Sequence, residues 1–255
     1  MPAHYDYYDY PSYWQDREYE HNAEIIALRE MFAKIPKIKS LIDIGAGYGR
    51  LTPEYSYRVK KIVLCDPSAR LLKIARKNFG KSKNIEFVQS KIENLGRHFR
   101  GASFDAAIMV RVIHHIEDPD KAIKIIAKIL KKRGYLIIEH ANKRHFKATM
   151  SEILKGNFTF PLDIFPRDVR CPKNIKKKTI PFINYHPDDI NKMLKDNGFE
   201  IIERRSVSNF RNSFLKHLLP PDLLLSLEKK FQNILEKINF GPSIFILARK
   251  IEQKI

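Results

Sequence analysis

Apolar residues recur along the chain in two alternating rhythms, short continuous runs and helical stripes. The runs are Leu41-Ile42-Asp43-Ile44, Ile62-Val63-Leu64-Cys65, Ile85-Glu86-Phe87-Val88, Phe104 to Val110 and Tyr135-Leu136-Ile137-Ile138, bounded by turn residues. Runs of this kind suit strands buried on both faces, as in a parallel sheet. Between them fall stripes of helical period. Residues 17–34 put Ile25, Leu28, Met31 and Phe32 on one face and stop at Pro36. A helix is expected through 50–58, another through Leu71, Leu72, Ile74 and Ala75, and a third over 119–132. The third turns Ala122, Ile125, Ile126, Ile129 and Leu130 inward, carries six bases near or after its end, and is expected to terminate at Gly134. Strands alternating with helices at this spacing predict an α/β fold with a doubly wound, mostly parallel sheet.

The alternation breaks at residue 141. Residues 141–185 hold Pro161, Pro166, Pro172 and Pro181, many bases and no sustained period. A helix resumes over Asp188 to Asn197 with Gly198 at its end. Phe199 to Ile202 and Ser243 to Ala248 read as strands six and seven, separated by a Leu-rich helical stretch at about 213–238. One domain over 1–255 is expected: an arm and helix (1–35), a core (36–140), a basic lid insertion (141–185) and C-terminal strands (186–255) with a helical insertion at 207–240.

Composition narrows the class. Cys65 and Cys171 are the only cysteines and lie far apart, so neither a disulfide framework nor a metal site is expected, and a cytoplasmic location follows. The N-terminus lacks a basic region followed by an apolar stretch, and no run nears the ~18–20 apolar residues of a membrane span, so a soluble protein is expected. Leu215 to Leu227 reads as a core-packing or dimer helix, with membrane docking the sharper alternative. Net charge is +18, which favours anionic partners. Its distribution is uneven. Residues 1–24 carry six acids and one base, Arg17, whereas 141–180 carry ten bases against three acids, a net of +7.

The chemistry concentrates at Asp43-Ile44-Gly45-Ala46-Gly47-Tyr48-Gly49-Arg50. A glycine-rich turn between strand and helix lets a ligand approach the backbone closely. Arg50 stands where the dinucleotide pattern wants glycine, which disfavours a nicotinamide dehydrogenase. Asp66 follows at the end of the next strand, 17 residues beyond Gly49, where a carboxylate can accept both hydroxyls of a ribose. The alternative for Asp66 is helix capping, a job Ser68 can share.

With these residues the sequence resembles the class I methyltransferases, the family that uses S-adenosylmethionine, over residues 39 to about 140. Leu41 to Gly49 is similar to the motif that wraps the methionine portion, and Val63-Leu64-Cys65-Asp66 to the ribose-binding segment. Phe104 to Ile116 is similar to the fourth-strand segment, and Ala122 to Ile138 to the helix and fifth strand that follow. The resemblance implies a Rossmann-like fold with a seven-stranded sheet. It implies a cofactor set of Asp43, Gly45, Ala46, Gly47, Gly49, Asp66, Pro67, Ser90, Lys91, Ile92, Val110 and Arg111. One departure stands out. Where the family commonly has an Asp for the adenine amino group, this chain has Ser90 or Lys91, and lysine cannot accept a hydrogen bond.

Methyl transfer needs alignment, and a general base only where the acceptor loses a proton. Candidates at the ends of strands four and five are His114, His115, Glu139, His140 and Asn142, with His115 preferred as the base. The arm Tyr5, Tyr7, Tyr8, Tyr10, Tyr13 and Trp14 is read as a cover over the cofactor or as a packing leader, and Arg17 as reaching the cofactor carboxylate. The acceptor is expected to be a small or lipid-like molecule, with an anionic one suited to the charge. Ile153, Leu154, Phe158, Phe160, Leu162, Ile164 and Phe165 would wall it. The runner-up is RNA, with tRNA foremost, along Lys143, Arg144, Lys147, Arg167, Arg170 and Lys176–Lys178. A non-catalytic binder of S-adenosyl ligands is the third reading. The oligomeric state is left open.

Overall fold

In a computed structural model, residues 6, 9–36, 38–177 and 179–251 are described. Tyr5, Tyr7, Tyr8 and Lys178, named above, lie outside them. Seven strands form one sheet: β1 (Ile38–Ile44), β2 (Val59–Asp66), β3 (Ile85–Gln89), β4 (Phe104–Met109), β5 (Leu130–Ala141), β6 (Phe199–Val207) and β7 (Ser243–Lys250). Their order is β3-β2-β1-β4-β5-β7-β6, and only β7 runs against its neighbours, β5 and β6. The doubly wound expectation holds. The order reverses between β1 and β4, the place where such sheets open a crevice at their carboxyl ends.

The inner strand runs are mostly apolar because both faces are covered, while edge strand β3 leaves Glu86 and Gln89 exposed. Successive side chains point to opposite faces. Ile42, Ile44, Val63, Cys65, Ala107 and Met109 therefore join one core, with helices α3 (Pro119–Ile129) and α5 (Pro187–Asp196). Leu41, Ile62, Leu64, Ala106 and Ile108 join the other, with α1 (Glu18–Ala33). Helix α2 (Ala69–Phe79) follows β2 and buries Leu71, Leu72 and Ala75.

Three predicted helices differ. Residues 50–58 form two 3₁₀ turns, Thr52–Glu54 and Ser56–Arg58. The segment is too short to nucleate an α-helix, and it closes on i→i−3 bonds such as Thr52 N–H to Gly49 O. The 119–132 helix stops at Ile129, because Leu130 is already extended and pairs with Phe104 at the start of β5. Lys131, Lys132 and Arg133 thus form an irregularity in β5, with Arg133 at φ 60 and Lys131 Nζ bonded to Asp105 at 2.8 Å. Gly134 belongs to that strand and does not end a helix; a Cβ there would lie 2.9 Å from the Lys131 carbonyl. Third, the 213–238 stretch is two helices, Ser213–Leu218 and α6 (Pro221–Glu236), which bracket Pro220.

Segment 215–227 is accordingly no continuous docking helix. Helix α6 packs on α1 and β6, where Gln232 donates to the Ala23 carbonyl and Glu228 accepts from the Tyr19 hydroxyl at 2.6 Å. No helix among the described residues is long and apolar enough to cross a membrane.

Residues 141–185 carry more structure than their sequence suggested. They contain α4 (Phe146–Leu154), a 3₁₀ turn at Phe160–Leu162, a ladder pairing Arg167–Asp168 with Ile183–Asn184, and a short helix at Pro172–Lys176. Helix α4 escapes periodicity because it fully buries none of its residues. The insertion roots at the end of β5, where Lys143 N–H donates to Tyr185 O and Tyr185 N–H to Ala141 O.

Candidate active site

Between β1 and the first 3₁₀ turn the backbone reverses through Gly45, Gly47 and Gly49, at φ 74°, 57° and 81°. A Cβ on Gly45 would collide with Val112 Cγ2, and one on Gly49 would sit 2.6 Å from the Phe79 ring. The turn is tied to β2. Gly45 and Ala46 N–H both donate to Cys65 O, at 2.7 and 3.1 Å, and Gly47 N–H donates to Asp66 Oδ2 at 2.8 Å. The other Asp66 oxygen accepts from Ser68 N–H at 2.7 Å. Capping of α2 falls to Ser68, whose Oγ accepts from Leu71 N–H. Burial pushes the Asp66 carboxyl up to about 6, against the lowering pull of the Ser68 and Gly47 N–H groups. Asp43 is buried behind the turn. Its carboxyl is likewise raised to about 6 by burial, although Tyr55 donates to it at 2.6 Å.

Beyond the carboxyl ends of β2 and β3 opens a cleft of about 450 Å³. Pro67, Ser90 and Lys91, all in the predicted set, line it with Gln89, Asn94, Arg97 and His98. Ile92 lies buried beside it in the 3₁₀ turn Ile92–Asn94. The Ser90 hydroxyl donates to the Lys91 carbonyl at 3.0 Å.

On the other side of the turn, α1 and the end of β4 meet in an ion cluster that sequence reasoning missed. Glu24, 0% exposed, accepts from Arg50 Nη2 at 2.5 Å and from Arg111 Nε at 2.6 Å. Trp14 covers both guanidinium groups, 3.5 Å from that of Arg50 and 4.9 Å from that of Arg111. Arg50 also donates to His21 Nδ1 at 2.6 Å. A signal existed: Glu24 sits among Ala23, Ala27 and Leu28 on the buried face of α1, where an acid requires a partner.

Arg111 itself has φ 60°, and its N–H donates to Glu139 Oε2 at 2.8 Å. The other Glu139 oxygen accepts from the Ser243 hydroxyl. Val110 is buried just before it. Arg17 sits at the N-cap of α1 with its guanidinium 4.2 Å above the Tyr13 ring and no carboxylate partner among the described residues. Of the arm's described residues, Tyr10 lies on the glycine turn: it packs edge-on against Tyr48, and a Cβ on Gly47 would lie 4.0 Å from its ring.

The histidine candidates separate by environment. His114 and His115 share the 3₁₀ turn after β4, their rings 4.1 Å apart and both against Phe182. His115 Nδ1 lies 2.6 Å from the Pro181 carbonyl, which can only accept, so Nδ1 carries the proton and Nε2 the lone pair. Burial lowers its pKa, opposed by that bond. His114 is deeper, its Nδ1 has no hydrogen-bond partner among the described residues, and burial holds it well below the usual histidine range. His140 is buried, points Nδ1 at the Ala141 carbonyl, and is pushed by burial down to about 3. Glu139 has both oxygens engaged and is raised by burial. His114 and His115 therefore cluster, Glu139 anchors the Arg111 backbone, and His140 is close enough for its charge to act on His114 without a ring contact to the pair.

Residues 42–138 match the family model described as a methyltransferase domain. The chain carries a class I S-adenosylmethionine-dependent methyltransferase domain. It is 23% identical over 225 residues to the tRNA 5-carboxymethoxyuridine methyltransferase of Escherichia coli (strain K12), covering 86% of this chain and 83% of that protein. It is 27% identical over 176 residues to the ubiquinone/menaquinone biosynthesis C-methyltransferase of Escherichia coli (strain K12 / DH10B), covering 65% and 68%. The fold is shared with an S-adenosylmethionine-dependent methyltransferase structure from Listeria monocytogenes, at TM-score 0.64 and 18% identity over 91% of this chain and 98% of that one.

S-adenosylmethionine is the cofactor of this methyltransferase, and the residues present fit it. The glycine turn presents backbone without side chains, a buried carboxylate stands at the end of β2, and a cleft flanked by Pro67, Ser90 and Lys91 opens beside them. No cluster of three or more metal-ligating side chains occurs among the described residues.

Proposed function

We propose that this methyltransferase, a single domain over residues 1–255 with insertions at 141–185 and 207–240, acts on a small-molecule or lipid-like acceptor beneath the first insertion. When bound, S-adenosylmethionine supplies an electrophilic methyl group on a sulfonium. In this reading ionised Asp66 accepts from the ribose hydroxyls, and Asp43, Gly45, Ala46, Gly47 and Gly49 shape the turn around the methionine portion. Pro67, Ser90, Lys91 and Ile92 bound the adenine cleft. The backbone of Val110 and Arg111 borders the reacting end, and Arg17 meets the cofactor carboxylate, a role supported by its lack of a carboxylate partner among the described residues. Holding the acceptor in line is worth roughly 7–11 kcal/mol.

Where the acceptor must lose a proton, His115 Nε2 takes it. Support comes from the tautomer set by Pro181 and from a pKa lowered by burial, which keeps the ring neutral at pH 7. His114 packs behind His115. Glu139 positions Arg111, and His140 is assigned no chemical step. The cytoplasm is the expected compartment, supported by two free cysteines, one of them exposed.

The observation that carries the acceptor reading is the insertion. It overhangs the end of β4 through the Pro181–His115 contact and packs Phe182 on both histidine rings, whereas Leu154, Phe158, Leu162, Ile164 and Phe165, expected to wall the acceptor, face outward instead. A second reading, RNA, is supported by Lys147, Lys173, Lys176 and Lys177, exposed bases with no carboxylate partner among the described residues. The test is transfer of a tritiated methyl group from S-adenosylmethionine into fractionated cell extract. Label in the organic-solvent or small-molecule fraction is expected. Label confined to RNA would establish the second reading, and none in any fraction would overturn both.

A further inference from the structure

The loop that follows α4 is built inside out. Its anchor is a buried cation: Lys143, 2% exposed, donates to the carbonyls of Asp163 and Phe165 at 2.7 Å each and pairs at 2.6 Å with the half-exposed Asp163 carboxylate. Phe160 is buried against Lys143, and His186 Nε2 donates to the Pro161 carbonyl at 3.1 Å. Glu152 binds Lys155, Asn157 and Arg167 together. This polar frame holds Leu154, Phe158, Leu162 and Phe165 outward at 73–82% exposure, with Ile164 also exposed. Solvation does not explain so many large apolar side chains fixed outward on one loop; such a patch marks an interaction surface.

Charge indicates what covers it. The three acids of 141–180 are each spent internally, Glu152 on Lys155 and Arg167, Asp163 on Lys143, and Asp168 on Arg170. Lys147, Lys173, Lys176 and Lys177 of the same insertion stay exposed with no carboxylate partner among the described residues. Exposed apolar side chains and uncompensated lysines carried by the same insertion match a lipid headgroup boundary carrying negative charge. A second copy of this chain, at +18, would bring like charge to the contact.

We infer that the 141–185 insertion is a docking surface for anionic phospholipid membranes, with Leu154, Phe158, Leu162 and Phe165 entering the headgroup region and the lysines meeting the lipid charge. This inference extends the lipid-like acceptor reading but does not require it, because binding is read without turnover.

The test is co-sedimentation of the whole protein with phosphatidylcholine vesicles containing 0 or roughly 30% phosphatidylglycerol, compared with Leu162→Ser/Phe165→Ser and Lys176→Gln/Lys177→Gln. Anionic lipid is expected to raise partitioning at least about tenfold. The apolar double variant should lose about tenfold or more, and the lysine variant several-fold, at unchanged melting temperature. Absence of wild-type binding to anionic vesicles overturns the inference. So does binding that the apolar variant leaves unchanged, since charge alone would then account for it. A dimer that this variant dissociates, with vesicles ignored, would assign the patch to a second copy. Retained methyl transfer to a soluble acceptor alongside failed vesicle binding would overturn docking and leave the proposed function standing.

Discussion

Replacing Glu24 by Gln tests the physical account of the site most severely away from the cofactor itself. The carboxylate is 0% exposed and shared by two guanidinium groups whose side chains are 9% and 21% exposed. Burial alone would raise its pKa; Arg111 and Arg50 reverse that and hold it below the ordinary glutamate value. Glutamine keeps the shape and one acceptor but strips the charge, leaving two arginines facing each other under Trp14. Removing one partner of a buried ion pair costs about 3–5 kcal/mol. Arg111 retains some contact with solvent, so the lower part of that range, about 3–4 kcal/mol, is expected here. For a domain of this size that is about 6–16 °C in melting temperature.

Urea unfolding of Glu24→Gln, beside Lys192→Ala as an exposed-pair control expected to leave the unfolding midpoint essentially unchanged, measures it. The sign with pH is fixed as well. A depressed carboxylate stabilises the fold above its unfolded pKa and loses that contribution as pH falls through the folded value. The gap between wild type and variant should therefore persist at neutral pH and close only under acid conditions below the ordinary glutamate value of 4.5. A loss under about 1 kcal/mol at pH 7, or a gap that widens in acid, would refute the reasoning.

Other consequences are separately measurable. Gly45→Ala meets both a left-handed φ, costing about 1–2 kcal/mol, and the Val112 methyl, so cofactor affinity should fall at least about tenfold; Val112→Ala added to it should restore part. With Asp66 and Asp43 raised to about 6, S-adenosylmethionine affinity should be flat above pH 7 and weaken below about 6, by up to about tenfold per unit for each group, in titrations across pH 5–8. Fold stability should move the opposite way. The folded state takes up those protons before the unfolded chain does, so their contribution falls between about pH 4 and 6 as pH rises. His115→Ala should cut transfer to a proton-losing acceptor by about 10²–10⁴ while leaving cofactor affinity unchanged; an unaltered rate removes the base assignment.

What the sequence made legible follows from what each residue packs against. Four of the five parallel strands were readable because their covered faces make nearly continuous apolar runs, edge strand β3 because Ile85, Phe87 and Val88 flank its exposed Glu86, and the turn from Gly45 to Gly49 because its glycines serve backbone geometry visible as spacing. The 50–58 helix was misread because periodicity does not separate α from 3₁₀ over so few residues. Helix α3 was overextended because the bases 131–133 resemble a helix end, while pairing of Leu130 with Phe104, a long-range event, decided the boundary. Helix α4 was invisible because its apolar residues face outward, so no stripe marks an inner face. The Arg50–Glu24–Arg111 cluster joins residues as many as 87 positions apart, and only Glu24, an acid on a buried face, hinted at it. Adenine recognition stayed open at Ser90 and Lys91, and the structure puts both residues at the cleft.

The most direct measurement is calorimetric titration of the wild-type protein and Asp66→Ala with S-adenosylmethionine and S-adenosylhomocysteine, with NADH as the competing nucleotide. Micromolar binding of the S-adenosyl pair, lost in the variant and absent for NADH, is the predicted result. Binding of NADH in preference, or S-adenosyl binding indifferent to Asp66, would contradict the site described.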